Sequence, residues 1–178
     1  QREGKLRSFG LSNESTWGTM RFLQVAARHN LPRVVSVQNE YNLLCRIFDL
    51  DMAEMSAFEN VGLLAFSPLA AGGLSGKYID GSIPPGSRRA MQEGLNGRYV
   101  PQSEQAIARY HAVATRHGLD LAQMALAFCL SRPFMTSAII GATTMQQLKT
   151  NIAAKDLTLS ADVMADIQTV YRDCPLPM

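Results

Sequence analysis

The chain has 178 residues, 47% of them hydrophobic and 18% charged, with a formal net charge of +2. That composition supplies one domain with a sizeable core and argues against disorder. Its Lys and Arg residues are too scattered and too nearly balanced for a nucleic-acid surface, and no apolar run approaches the roughly 20 residues of a membrane-spanning helix.

In chain order, short apolar runs alternate with amphipathic stretches, the signature of strand and helix units feeding a parallel sheet. "KLRSFGLS" reads as the first strand. "STWGTMRFLQVAARHN" reads as a helix capped by Ser15, with Trp17, Met20, Leu23 and Ala27 on one face and a stop at His29 and Asn30. "RVVSVQNEY" is a valine-rich strand, a weaker helix follows over 51–59, and "VGLLAFSPL" is a run long enough for a fully buried strand. After a loop over 67–101, a helix starts at Ser103 and Glu104 and ends at His117 and Gly118. Asp120 and Gln123 open another that Pro133 stops. "TSAIIGA" is the fourth strand, Thr143 or Thr144 caps "MQQLKTNIAA", and the last helix runs from Ser160 to about Tyr171. Four such units fit half of an eight-stranded α/β barrel or most of a doubly wound sheet; periodicity alone does not choose.

In either architecture function gathers at the carboxyl ends of the strands. Those ends read "GLSN", "VQNEY", "FSPL" and "IIGATT", each delivering polar or small residues after an apolar run. Ser12, Asn13, Gln38 and Asn39 carry donors and acceptors suited to a carboxamide, although one such residue after a strand is more often a turn former. Phe66 serves equally as a stacking ring for a flat heterocycle or as core.

The loop "SPLAAGGLSGKYIDGSIPPGSRR" contains five glycines, three prolines, one lysine and two arginines. Its glycines allow backbone N–H groups to approach a phosphate, and Lys77 and Arg88 add positive charge; a plain exposed crossover is the alternative. Gly141, Ala142 and Thr143 sit where a helix N-terminus favours a second phosphate. No GxGxxG follows the first strand and "GGLSGK" lacks P-loop spacing, which weakens a Rossmann reading. Cys45, Cys129 and Cys174 form no metal motif and read as reduced thiols, and His29, His111 and His117 fall on or at the ends of helices. With no basic, apolar leader at the start, the chain reads as soluble and cytoplasmic.

At these residues the chain resembles the aldo-keto reductase family, in particular its bacterial Tas-like members and the related potassium-channel β subunits. The matching segments are "GKLRSFGLSN", "VQNEYN", "LLAFSPLAAGGLSGKY", "IPPGSR" and "IIGATTMQQLKTNI", in order over nearly the whole chain. The resemblance implies an eight-stranded (β/α) barrel, a TIM barrel of which this chain supplies strands five to eight, and binding of NADP(H) without a Rossmann fold. It further implies that Ser12, Asn13 and Gln38 hold the nicotinamide carboxamide while Phe66 stacks on its ring. Ser67, Pro68, Leu69, Ala70, Lys77 and Arg88 then belong to a belt over the diphosphate and adenosine. Gly141, Thr143, Gln147 and Asn151 form the adenosine and 2'-phosphate end.

Three departures stand out. Phe66 replaces the Trp or Tyr common at its position, Thr150 stands where a Glu often reads the adenine, and "GATTMQQL" contains no cation for a 2'-phosphate. The family reduces carbonyls with an Asp, a Tyr, a Lys and a His from the first half of the barrel, and none of the five tyrosines here lies in that context. No catalytic residue is therefore assigned. The chain opens at Gln1, and "QREGK" has the character of a helix tail entered from upstream. The expectation is a fragment, a processed product or a half-barrel, inactive alone and partnered by an N-terminal half or a second copy. The expected substrate is a small carbonyl compound, with a nucleotide-binding regulatory module as the alternative function.

Overall fold

Alternating burial decides where the sheet lies. In a computed structural model describing residues 1 and 3–178, four parallel strands lie side by side in sequence order: β1 (Leu11–Ser12), β2 (Ser36–Glu40), β3 (Gly62–Phe66) and β4 (Met135–Ala138). Pairing sets Ser12 beside Gln38, Gln38 beside Leu64 and Leu64 beside Ser137. Successive strand side chains point to opposite faces, so this row shares one face and Val37 and Leu63 share the other. Val37, Leu63 and Ala65 are fully enclosed in the core, whereas Gln38, Leu64 and Phe66 are only half-buried. The continuous burial of a parallel sheet covered on both faces is thus present on one face only.

The first strand is shorter than "KLRSFGLS" promises: only Leu11 and Ser12 join the ladder. Just before them the backbone passes so close to Ser36 that a Cβ at Gly10 would lie 2.8 Å from the Ser36 carbonyl oxygen. The fourth strand is displaced toward the N-terminus, beginning at Met135, although the Ile139 N–H still bonds the Ala65 carbonyl at 2.8 Å.

Seven α-helices are described: α1 (Thr16–Arg28), α2 (Met52–Glu59), α3 (Arg88–Met91), α4 (Pro101–Arg116), α5 (Leu121–Leu130), α6 (Met145–Ala153) and α7 (Ala161–Asp173). Short polar residues start them. The Ser15, Asp120, Thr144 and Ser160 side chains accept from the backbone N–H three residues on, satisfying donors that would otherwise be orphaned. His29 and His117 sit at the C-caps of α1 and α4.

Two helical expectations need correction. Thr19, Leu23 and Ala26 form the buried stripe of α1, with Met20 packed beside them, while Trp17 is 75% exposed and Ala27 also faces solvent. The large aromatic suggested the wrong face: 19, 23 and 26 are the i, i+4, i+7 set, and Trp17 instead carries the Arg21 guanidinium 5.9 Å from its ring. Helix α4 begins at Pro101, two residues before Ser103, whose hydroxyl accepts from the Val100 N–H at 2.9 Å; Pro suits the first helical position because its missing N–H has no partner there.

Helix α5 is apolar almost all round and forms the centre of the core, with eight of its residues buried. Burial pushes the Cys129 thiol up to about 12, so it behaves as a small hydrophobe. Beside α5 lies a largely buried polar hub. Asp49 accepts from the Tyr41 hydroxyl at 2.8 Å and from Arg46 Nε at 2.7 Å. Arg132 approaches the same carboxylate at 3.6 Å, and the Arg46 guanidinium lies 3.9 Å over the Tyr171 ring. Burial, reinforced by the Asp49 charge, holds the Tyr41 hydroxyl well above the ordinary phenol range. Removing the carboxylate would leave two cations without their shared anion. Asp49→Ala should therefore cost about 3 to 5 kcal/mol in urea unfolding, against under about 1 kcal/mol for Arg109→Ala at the exposed Arg109–Asp173 pair. Equal losses would refute the hub.

Candidate functional site

Parallel pairing brings all four carboxyl ends to one edge of the sheet. Ser12, Asn13, Gln38 and Phe66 meet there, with Ser67 to Ala70 continuing from β3 and Gly141 and Thr143 following β4. Asn13 takes a left-handed conformation, its N–H bonds the Gln38 carbonyl at 2.9 Å, and its amide donates to Ser12 Oγ at 3.3 Å. The Gln38 side chain makes no hydrogen bond among the described residues and remains available. Asn39 does not: its amide accepts from the Glu14 N–H at 3.1 Å and donates to the Glu14 carbonyl at 2.8 Å, tying β2 to the turn after β1. Alternation along β2 carries it to the face opposite Gln38.

The carboxyl end of β3 is strained. Ser67, Ala70 and Ala71 all have left-handed φ values, of 50°, 48° and 55°, a conformation that is costly for non-glycine residues and clusters where structure serves a ligand. Asn42, fully buried, overdetermines the turn. Its amide donates to the Ser67 carbonyl at 3.0 Å, and its oxygen accepts from the Leu44 and Cys45 N–H groups at 2.8 and 2.9 Å. Pro68 and Ala70 are buried and Leu69 packs against the core. Nothing assigned Asn42 a role from sequence, although it stands in "VQNEYN"; a short amide just past a strand was the available signal.

The 67–101 segment is less of a surface loop than its Gly and Pro content suggests. It contains 3₁₀ turns at Ala70–Ser75 and Ile79–Gly81 as well as α3, and buries Leu74, Tyr78 and Leu95. Lys77 Nζ lies 5.1 Å from the Tyr78 ring centroid, and Arg88 is exposed at the start of α3. Lys77, Arg88 and Arg89 have no carboxylate partner among the described residues. Near the far end of the segment, Arg98 is fully committed: its Nε and Nη2 bind both Glu40 oxygens at 2.7 and 2.8 Å, across 58 residues. The Glu40 hydrogen bond raises the Arg98 pKa further, and burial, with Glu40 nearby, pushes the Cys45 thiol up.

At the fourth end, Gln147 folds back so that its oxygen accepts from both the Thr143 N–H and hydroxyl at 3.0 Å. Thr144 caps the Gln147 N–H, so two of the donors expected for a phosphate have protein partners. Asn151 is buried one turn further on and makes no side-chain hydrogen bond among the described residues. Thr150 gives its carbonyl to Gln123 at 3.2 Å. Among the described residues no group of three His, Cys, Asp or Glu is placed to hold a metal ion, and no helix is long and apolar enough to cross a membrane.

A family model described as the Aldo/keto reductase family matches residues 1–172. The chain belongs to the aldo/keto reductase family. Its four parallel strands are accordingly a portion of a (β/α)8 barrel, and oxidoreductase chemistry is the family's general activity. The chain is 49% identical to the protein tas of Escherichia coli over 172 residues, which is 97% of this chain and 50% of that protein. It is 32% identical over 177 residues to the E. coli L-glyceraldehyde 3-phosphate reductase, covering 96% of this chain and 51% of that enzyme. A probable voltage-gated potassium channel subunit beta of Oryza sativa is 32% identical over 170 residues, with 90% and 52% covered. The chain spans about half the length of the curated relatives it matches.

In this family member the Glu40–Arg98 pair is the fixed point between a strand end and the long segment, with both side chains less than a fifth exposed. Glu40→Ala should lower stability by about 2 kcal/mol in urea unfolding, the scale of a charge-assisted pair. No change would show that the segment is held elsewhere.

Proposed function

We propose that this chain is the C-terminal, cofactor-gripping half of an NADP(H)-dependent aldo/keto reductase, contributing strands five to eight of the barrel. The observation that carries the reading is that Lys77 and Arg88 of the 67–101 segment have no carboxylate partner among the described residues, while the end of β2 offers the unspent Gln38 amide and α6 carries the Asn151 side chain. Two cations with no carboxylate partner, on the segment that leaves a strained turn, suit a polyanion such as a diphosphate. Such a cofactor, when bound, supplies the hydride that reduces an aldehyde or ketone.

In this reading Ser12, Asn13 and Gln38 orient a carboxamide, because together they present donors and acceptors at one edge. Phe66, half-buried on the open face, offers a ring for stacking. Ser67, Pro68, Leu69 and Ala70 shape the turn that brings Lys77 and Arg88 over the diphosphate. Gly141, Thr143, Gln147 and Asn151 face the adenosine end, with Gln147 releasing Thr143 as the nucleotide enters. Proton donation to the forming alkoxide is assigned to the other half of the barrel. Tyr41 and Tyr110 bond Asp49 and the Leu43 carbonyl, and both are held above the ordinary phenol range chiefly by burial. Such hydroxyls are poor acids at neutral pH. The edge strands β1 and β4 and the half-buried sheet face are where the N-terminal half, or a second copy, completes the barrel.

The identity to the rice channel subunit favours a second reading, a regulatory module whose bound nucleotide matters more than turnover. A full-length protein that binds NADPH yet reduces no carbonyl would select it. For the leading reading the test is the Lys77→Ala/Arg88→Ala double variant of the full-length protein. Losing two charge-assisted contacts should cost about 3 kcal/mol, about a hundredfold in NADPH affinity by fluorescence titration. An unchanged dissociation constant would remove the diphosphate assignment.

A further inference from the structure

Between β3 and α4 the chain runs for more than thirty residues with no strand ladder to hold it. Besides the Glu40–Arg98 pair and the buried Leu74 and Leu95, aromatic contacts cross it. The Tyr78 and Tyr99 rings stand edge to face with centroids 6.1 Å apart. The Arg89 guanidinium lies 3.8 Å over the Tyr99 ring and 5.9 Å from that of Tyr78. The backbone N–H of Arg89 donates to the Tyr78 hydroxyl at 3.1 Å. The Tyr99 hydroxyl is placed to donate to Glu104 at 3.2 Å or to the Tyr78 carbonyl at 3.4 Å. One residue thereby joins the beginning of the segment, its middle at α3 and its end at α4.

Arg89 Nε and Nη1 are buried and have no hydrogen-bond partner among the described residues. The grip of this guanidinium is on the two rings, where a desolvated cation is held more strongly than an exposed one, while its unpaired N–H groups oppose burial. Opening the segment would expose the rings and rehydrate those donors at once, so the closed state is balanced against release. Lys77, with its ammonium 5.1 Å from the same Tyr78 ring, and Arg88, adjacent in α3, both adjoin the contact.

We propose that Arg89 is the latch of the 67–101 segment, closing it on Tyr78 and Tyr99 and thereby positioning Lys77 and Arg88 over the cofactor; the second half of this statement rests on the cofactor reading above. Arg89 is a positioning residue and its effect falls on cofactor release. The test uses the full-length protein and its Arg89→Ala, Arg89→Lys and Tyr99→Leu variants. Amide hydrogen exchange is read without cofactor, and NADPH dissociation by stopped flow. Arg89→Ala and Tyr99→Leu should each speed exchange over residues 76–98 by about tenfold while β2 and β3 stay protected. Arg89→Lys, which keeps the charge without the planar stacking surface, should fall between, and NADPH should leave about tenfold faster from the first two. Unchanged exchange in both Arg89→Ala and Tyr99→Leu overturns the latch, as does faster exchange spread through β2 and β3. Faster exchange confined to 76–98 with unchanged NADPH release overturns the positioning of Lys77 and Arg88 if their double variant still binds NADPH more weakly. If that variant binds normally, the cofactor reading is what fails.

Discussion

Parallel pairing in a single register is the constraint on which the rest depends. Four strands running the same way must end at the same edge, so residues separated by more than a hundred positions, Ser12 and Gly141 among them, come to one rim without any contact selecting them. The same register puts Val37 and Leu63 under the helices and turns Gln38 and Leu64 to the other face. A shift of one residue would exchange the two sets, burying an amide and exposing a leucine. The glycine at position 10 and the tie from Asn39 to Glu14 both lie where β1 meets β2, the shortest pairing in the sheet and the one most open to slippage.

Fixing the register leaves the carboxyl edge free to carry strain. The turn after β3 places three non-glycine residues in the left-handed region, and Asn42 from the neighbouring strand end holds it there. Further along, Glu40 anchors Arg98 at the segment's far end. The two anchors both issue from β2, so one strand secures the segment on either side. Between them, Lys77, Arg88 and Arg89 have no carboxylate partner among the described residues, and Lys77 and Arg89 lie against tyrosine rings. Rigid ends with an adjustable middle suit the role proposed for this segment, admitting a large anion and then covering it.

Much of this was legible in the sequence where a local rule carried it. Ser15, Asp120 and Ser160 announced helix starts, as did the pair Thr143 and Thr144, of which Thr144 is the cap, and β2 and β3 stood out as β-branched or apolar runs. The strand ends pointed to the rim in either candidate architecture, and the resemblance to aldo-keto reductases rested on the same stretches. What could not be read was whatever depends on distant partners. Glu40 and Arg98 lie 58 residues apart. Asn39 and Asn13 are both amides after apolar runs, and only the alternation of the strand tells that one is spent on Glu14. Trp17 suggested the buried face of α1 because indole is large and apolar, yet its neighbours at 19, 23 and 26 have the better spacing. Gln147 covering Thr143 is a side-chain conformation that no pattern encodes.

The central claim is that the rim of carboxyl ends is a nucleotide site. Amide hydrogen exchange of the full-length protein with and without saturating NADPH tests it most directly. The account predicts slower exchange at residues 12–13, 66–70, 77–90 and 141–151, all on or over that rim. Protection confined to the opposite ends of the strands, near 33–35 and 132–135, or the absence of any protection, would contradict it.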